Sequence, residues 1–259
     1  MKTYGLIGYP LGHSFSKKYF TEKFEKENIH DCIYNLYPIE NINLFPQLIN
    51  DNADLLGLNV TIPYKESVLP FLDELDATAK GIGAVNCIKI LTDEIKTTEL
   101  IKNKRLIGYN TDAFGFRQSI KPFLEKQHER AMILGTGGAA KAVAYVLKEI
   151  GIECFYISRK KNLNAKNQLT YDELNENVMN AFKLIVNSSP VGTHPNIEEA
   201  PQIPYQYVSS EHLLYDLVYN PEQTEFLKRG KDKGAATVNG LSMLQQQAEE
   251  AWRIWNIKK

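Results

Sequence analysis

The stretch Gly135-Thr136-Gly137-Gly138-Ala139-Ala140 follows an apolar run at 131–134 and opens a helical pattern at 140–150. A G-x-G-x-x-[G/A] loop in that setting limits the possible folds more than any other feature of the chain. The first glycine permits a tight turn, and the second lets backbone N–H groups approach a pyrophosphate. The small Ala140 lets the helix pack close to the sheet. The helix start adds partial positive charge for phosphates. A plain strand-to-helix turn is the alternative, but a further strand pattern at 153–157 completes a βαβ context that favours nucleotide binding. Gly135, Thr136, Gly137, Gly138 and Ala139 are therefore cofactor-binding candidates.

The end of the next strand discriminates between nucleotides. An NAD site places Asp or Glu there for the ribose hydroxyls. This chain has Ser158-Arg159-Lys160-Lys161. A planar guanidinium flanked by ammonium groups suits a 2′-phosphate, so NADP is expected, with Ser158, Arg159 and Lys160 at that end. A solvated basic turn is the competing reading.

Short β-rich runs alternate with helical stretches along the rest of the chain. Strands are predicted at 4–7, 32–37, 55–60 and 84–90, with helices at 17–27 and 42–50. That alternation argues for βαβ units and a mostly parallel sheet. Residues 94–109 read as a hairpin near an edge. After Asp112 the pattern restarts, with a helix at 113–120 and strands at 131–134, 153–157, 184–186, 213–217 and 235–238. The restart predicts two α/β domains. A last helix, 241–257, carries Leu241, Leu244, Ala248, Trp252 and Trp255 on one stripe and must pack on something.

Composition excludes several classes. The 259 residues are 43% hydrophobic and 24% charged, which does not fit disorder. Thirty Lys+Arg against thirty-one Asp+Glu give a net charge of -1, with no global pull toward nucleic acid or membranes. Cys32, Cys87 and Cys154 have no CxxC spacing, which argues against a disulfide framework or thiolate zinc site and for a reducing compartment. The five histidines show no metal spacing. The apolar start is broken by Gly8 and Pro10, and no run approaches a membrane span, so a cytoplasmic protein is expected.

Polar clusters in both halves are too specific for scaffold. They are Gly8-Tyr9-Pro10-Leu11-Gly12-His13-Ser14-Phe15-Ser16, Gly57-Leu58-Asn59-Val60-Thr61-Ile62-Pro63-Tyr64-Lys65, Gly83-Ala84-Val85-Asn86 and Tyr109-Asn110-Thr111-Asp112. Further along come Asn187-Ser188-Ser189-Pro190-Val191-Gly192, Asp216-Leu217-Val218-Tyr219-Asn220-Pro221 and Asn239-Gly240-Leu241-Ser242-Met243. In these motifs, and in their order, the sequence closely resembles the shikimate dehydrogenase family over essentially its whole length. The resemblance implies reversible NADP-dependent reduction of 3-dehydroshikimate to shikimate. It implies an α/β substrate domain of residues 1–112 with 240–259, a Rossmann NADP-binding domain of 113–239, and a final helix returning to the first domain. It makes Lys65 and Asp112 a catalytic pair. Ser14 and Ser16 would contact the substrate carboxylate, Thr61, Asn86 and Gln247 would make further substrate contacts, and Tyr219 would line the site. Ser189, Leu217 and Gly240 join the cofactor set. The partners implied are the small-molecule substrate alone, in a monomer or homodimer.

The residues bear on these roles independently. Pro63 reads as a first helical residue, placing Lys65 in a first turn where the helix dipole depresses its pKa while a nearby Asp112 raises it. A surface lysine and an N-cap aspartate are the plain alternatives. Gln247 lies on the margin of the last helix's apolar stripe, able to face a cleft, or else solvated beside Gln245 and Gln246. Asn220, Pro221 and Gln223 read as N-cap, first residue and capping-box partner of a helix, so they are structural. His13 reads as a loop brace. The family's usual Pro after Ser16 is Lys17 here, which removes a preset φ at the helix start and leaves Ser16 the option of N-cap. Cys87 and Ser158 stand where Thr and Asn are usual.

Two other functions fit less well. A quinate/shikimate dehydrogenase using NAD would lack Arg159-Lys160 or change a carboxylate-site serine. A non-catalytic sensor of the same fold would have lost Lys65 or Asp112.

Overall fold

The computed structural model describes residues 1–12, 14–94, 102–161 and 167–257. Its contacts divide the chain into two units, Met1–Thr111 with Ala248–Lys259, and Asp112–Gln247.

In the first unit, β1 (Lys2–Gly8), α1 (Phe15–Lys26) and β2 (Cys32–Pro38) form a parallel βαβ unit. It is followed by α2 (Phe45–Asp51) and β3 (Leu55–Val60), which also runs parallel to β1. After β4 (Glu74–Leu75) and α3 (Ala77–Ile82), β5 (Cys87–Glu94) and β6 (Lys102–Tyr109) form an antiparallel hairpin. The sheet order is β2-β1-β3-β5-β6-β4. Because β5 runs antiparallel to β3, this sheet is mixed, where a mostly parallel one was expected. Residues 84–86, predicted as strand, precede β5 as coil, since their side chains and backbone serve neighbouring segments.

One face of this sheet packs on an aromatic cluster in which Tyr4, Phe20, Phe24 and Tyr34 meet Ala248, Ala251, Ile254 and Trp255 from the end of the last helix. Tyr4 stacks on Trp255 with centroids 4.9 Å apart, and Phe20 stacks on Tyr34 at 4.7 Å. Gly57 makes the close approach possible, because a Cβ there would lie 2.4 Å from the indole nitrogen of Trp255. That nitrogen donates to the Ile88 carbonyl at 3.0 Å.

The second unit contains α4 (Thr111–Ile120), β7 (Arg130–Leu134), α5 (Gly138–Glu149), β8 (Glu153–Ser158), β9 (Gln168–Thr170), α6 (Glu176–Ala181), β10 (Leu184–Asn187), β11 (Leu213–Asp216), α7 (Glu225–Asp232) and β12 (Ala236–Val238). Its six strands are all parallel in the order β12-β11-β10-β7-β8-β9. Read outward from β7, that is the doubly wound order, with its switch point between β7 and β10. β10 and β11 are buried along their whole length, as central parallel strands covered on both faces must be. The chain ends in α8 (Leu241–Asn256), whose residues from Ala248 onward group with the first unit.

Capping explains where several helices start. Ser14, Asp76, Asn175 and Thr224 each accept a backbone N–H in the first turn of α1, α3, α6 and α7. One optional cap is not used and one predicted start is overturned. The cap of α1 is Ser14, not Ser16, which is the second residue inside the helix. The cap of α7 is Thr224, whose hydroxyl accepts the Leu227 N–H, so Asn220, Pro221 and Gln223 belong to the preceding loop.

Candidate active site and cofactor cradle

In the second unit, the loop after β7 has the geometry of an anion cradle. Gly135 adopts φ +119°, and a Cβ there would lie 3.0 Å from the Ser188 hydroxyl at the end of β10, so the switch-point crevice admits no side chain. Gly137 stands before α5 with nothing within 4 Å of where its Cβ would be. Unlike α1, α3, α6 and α7, α5 has no side-chain cap, which leaves its first N–H groups for an external acceptor. Ala140 is fully buried, as close helix–sheet packing requires.

At the end of β8, Arg159 and Lys160 are exposed, whereas Lys161 is paired with Glu173. The Ser158 hydroxyl donates to the Lys160 carbonyl at 2.5 Å and accepts from Gln168, so it braces this turn. Residues 162–166 lie outside the described residues.

The opposite half of the crevice is held by two fully buried side chains. Asn187 accepts from the backbone N–H of Ser189 at 3.1 Å and from its hydroxyl at 2.7 Å. Its amide donates to Asp216 Oδ1 at 2.9 Å, and the other Asp216 oxygen accepts the Thr224 hydroxyl at 2.6 Å. The Val218 N–H donates to Oδ1 at 3.0 Å. Burial pushes the Asp216 carboxyl up to about 6, against the opposing effect of these three donors. Leu217 is fixed by its N–H to Asn187 O, and Gly240 lies so close to the Leu217 carbonyl that any side chain would collide with it. Tyr219 is half-buried in the same loop.

Asp112 is buried in the first turn of α4, where a carboxylate is favoured by the helix dipole, and is not the cap. Gly115, one turn further, backs onto the Met243 carbonyl and the Gln247 backbone. Gln247 is accordingly half-buried while Gln245 and Gln246 are exposed, as its place on the stripe margin predicts.

In the first unit, the candidates cluster where β1 and β3 end. Ser14 Oγ accepts the Lys17 N–H at 3.3 Å. The buried Tyr34 phenol donates to Asn59 Oδ1 at 2.8 Å, and neighbouring Ser16 opposes the rise that burial imposes on that phenol. The Thr61 N–H donates to the Ile7 carbonyl, and Thr61 Cγ2 fills the space beside Gly8. Lys65 is half-buried, and its carbonyl accepts the Val85 N–H at 2.7 Å, which sets it beside Asn86 in the backbone. Asn86 is buried, donating to the Thr111 hydroxyl at 3.1 Å and accepting the Thr111 N–H at 2.6 Å. No helix begins at Pro63. Lys65 lies in a turn closed by Val68 N–H to Tyr64 O, and the next N–H, of Leu69, goes to Glu66 O and leads into a 3₁₀ turn at Leu69–Phe71. Lys65 therefore stands at no helix start, and no helix dipole acts on it. His13 lies outside the described residues.

Cys87 is fully buried and burial holds its thiol well above the usual range, so it packs as a small apolar group. Among the described residues there is no cluster of His, Cys, Asp and Glu able to hold a metal ion, and no helix long and apolar enough to cross a membrane.

Nothing in the sequence alone gives Asn187 or Asp216 a role. Their one local signal is a polar residue closing an otherwise apolar strand run, 184–187 and 213–216, which shows its meaning only when the two strands pair.

Residues 6–88 match the shikimate dehydrogenase substrate binding domain. The chain is 39% identical to a shikimate dehydrogenase (NADP(+)) from Carboxydothermus hydrogenoformans, across 98% of this chain and 91% of that one. A crystal structure of shikimate dehydrogenase 1 from Peptoclostridium difficile superposes with a TM-score of 0.82 at 36% identity, covering 100% of this chain and 93% of the other. The Thermus thermophilus shikimate 5-dehydrogenase in complex with NADP(H) and shikimate superposes at 0.80 with 29% identity, over 99% and 94%.

Proposed function

The chain belongs to the shikimate dehydrogenase family, and we propose that it reversibly reduces 3-dehydroshikimate to shikimate with NADPH, a step of aromatic amino-acid and chorismate biosynthesis. The observation that carries this reading is the uncapped α5 start behind Gly135 and Gly137, at the switch point of a doubly wound sheet. NADPH supplies the hydride when bound.

The chain's own residues bind, orient and move the proton. Lys65 gives a proton to the oxygen that becomes the hydroxyl, with Asp112 as its catalytic partner. Because Ser14 Oγ already accepts from Lys17 N–H, its own proton is left for an acceptor, which suits a substrate carboxylate together with Ser16. Asn86 reaches the substrate from an amide pinned by Thr111. Thr61 and Gln247 make further contacts, and Tyr219 lines the site.

The pyrophosphate belongs at the α5 N-terminus over Gly135, Thr136, Gly137, Gly138 and Ala139. Arg159 and Lys160 hold the 2′-phosphate on the turn that Ser158 braces, and Ser189, Leu217 and Gly240 hold the other end. In domain terms, residues 1–112 with 240–259 bind substrate and 113–239 bind NADP, and three free cysteines suit a cytoplasmic location.

The deciding experiment compares kcat/KM for shikimate and quinate with NADP and with NAD. Preference for shikimate with NADP is expected. Preference for quinate with NAD would replace this reading, and shikimate-induced stabilisation without turnover would make the protein a sensor.

A further inference from the structure

Asp216 is the most completely buried acid in the second unit and has no cationic partner among the described residues. Its relative exposure is 0%, and its three hydrogen-bond donors are neutral: the Asn187 amide, the Val218 N–H and the Thr224 hydroxyl. Holding the backbone of two loops does not require a charge there. An asparagine has the same shape and could accept from Asn187 and Val218 while donating to the rotatable Thr224 hydroxyl. A buried, unneutralised carboxylate is costly, so its charge calls for an explanation beyond hydrogen bonding.

Its position supplies one. Asp216 closes β11, beside β10, on the side of the switch point opposite the Gly135 cradle. The doubly wound order gives each half of such a sheet one mononucleotide of the cofactor. The β7–β8 half ends in Arg159 and Lys160, which suit the phosphorylated adenosine, so the β10–β11 half is left for the nicotinamide. Oxidised nicotinamide carries a positive charge and the reduced ring is neutral.

We propose that the Asp216 carboxylate is an electrostatic selector of cofactor oxidation state, favouring NADP⁺ over NADPH. This rests on the reading that the loops at 188–192 and 217–219 hold the nicotinamide end. No cation among the described residues stands beside the carboxylate to neutralise it. Among the described residues, the nearby titratable groups are the phenols of Tyr215, Tyr205 and, in the loop that follows, Tyr219, all pushed up by burial and neutral across the working range. Glu225 and Arg229, on the helix that follows, pair with each other at 2.8 Å, with the guanidinium over the Tyr205 ring. Because burial raises the Asp216 carboxyl to about 6, the selector switches off in mild acid.

The test measures dissociation constants for NADPH and NADP⁺ by fluorescence and competition, on wild type and Asp216→Asn, from pH 5 to 7.5. At pH 7.5 the variant is expected to bind NADP⁺ about fivefold more weakly and NADPH within about twofold, the order of effect of one buried charge across a ligand site. In wild type the preference for NADP⁺ should fall by a similar factor as pH is lowered through about 6, and in the variant it should stay flat. Equal weakening of both forms, or a pH-independent ratio in wild type, overturns the proposal. If the variant does not fold, the wild-type pH series decides alone. A Gly137→Asp variant separates the underlying reading: if it binds both forms normally, the assignment of the cofactor cradle is what fails.

Discussion

The Lys89 ammonium lies 2.8 Å from the carbonyl oxygen of Ile254 and 2.7 Å from that of Ile257, capping the end of α8 from the middle of β5. A cation at a helix C-terminus meets both the orphan carbonyls and the negative end of the dipole. Lys89 itself is 8% exposed, so these bonds are shielded from water. Lys89→Met is expected to cost about 1–3 kcal/mol in urea unfolding, the price of leaving buried acceptors unmade. A change below about 0.5 kcal/mol would mean that the cap contributes nothing net.

Gly137 has open space where its Cβ would be and a backbone that any residue adopts, φ -77° and ψ -176°. Gly137→Asp should therefore fold and raise apo stability by a few tenths of a kcal/mol, because aspartate is a better N-cap. The same carboxylate would occupy and repel the pyrophosphate position, so NADPH affinity should drop more than about tenfold. Opposite signs in melting temperature and cofactor affinity are the signature. Parallel losses would point to simple misfolding.

Arg159 is exposed and makes no ion pair among the described residues, whereas Lys161 is paired with Glu173. Arg159→Ala should reduce kcat/KM with NADP by about 10- to 100-fold and leave the weak NAD rate nearly unchanged, since only the 2′-phosphate uses the guanidinium. Lys161→Ala should change either rate less than about threefold. A larger effect at Lys161 than at Arg159 would reassign the phosphate contact.

Lys65→Ala should lower kcat at pH 7 by about 10²–10⁴-fold, the usual worth of a positioned acid–base group, with little change in shikimate affinity. Its side chain is half-buried in a turn, so the melting temperature should move little. Turnover near that of wild type would remove Lys65 from the proton-transfer role.

Asp216 also sets a stability dependence. Its folded-state pKa, about 6, lies above the ordinary 3.8, so the folded state binds the proton more tightly than the unfolded chain does. The stability it contributes is present below pH 4 and lost as pH rises through about 6. Wild-type stability minus that of Asp216→Asn should therefore fall by about 3 kcal/mol between pH 3.5 and 7.5, measured by urea unfolding. A flat difference would mean that the carboxyl titrates normally.

Much of this was legible in the chain itself because the signals are local. The apolar run before Gly135 and the small residues after it required a strand–turn–helix. The stripe through Ala248, Trp252 and Trp255 required a packed last helix, and Arg159-Lys160 marked a charged turn. Where local sequence misleads, the deciding interaction is one that neighbouring residues do not announce. Ser16 and Asn220 are acceptable caps by residue type, but Ser14 and Thr224 are the ones whose hydroxyls face the first-turn N–H groups. Pro63 fits a helix start, yet the Lys65 carbonyl is taken by the Val85 N–H and the chain tightens into a 3₁₀ turn at Leu69–Phe71 instead.

The βαβ alternation, the glycine cradle and the family motifs can be read from the residues without the fold, because each depends on backbone periodicity or residue type within a short window. That β5 runs antiparallel to β3, that Lys89 closes the end of α8, and that Asn187 and Asp216 share a hydrogen bond emerges only in the folded chain. Those facts depend on which strands become neighbours, and pairing between residues far apart in sequence is set by how the whole sheet buries its apolar faces.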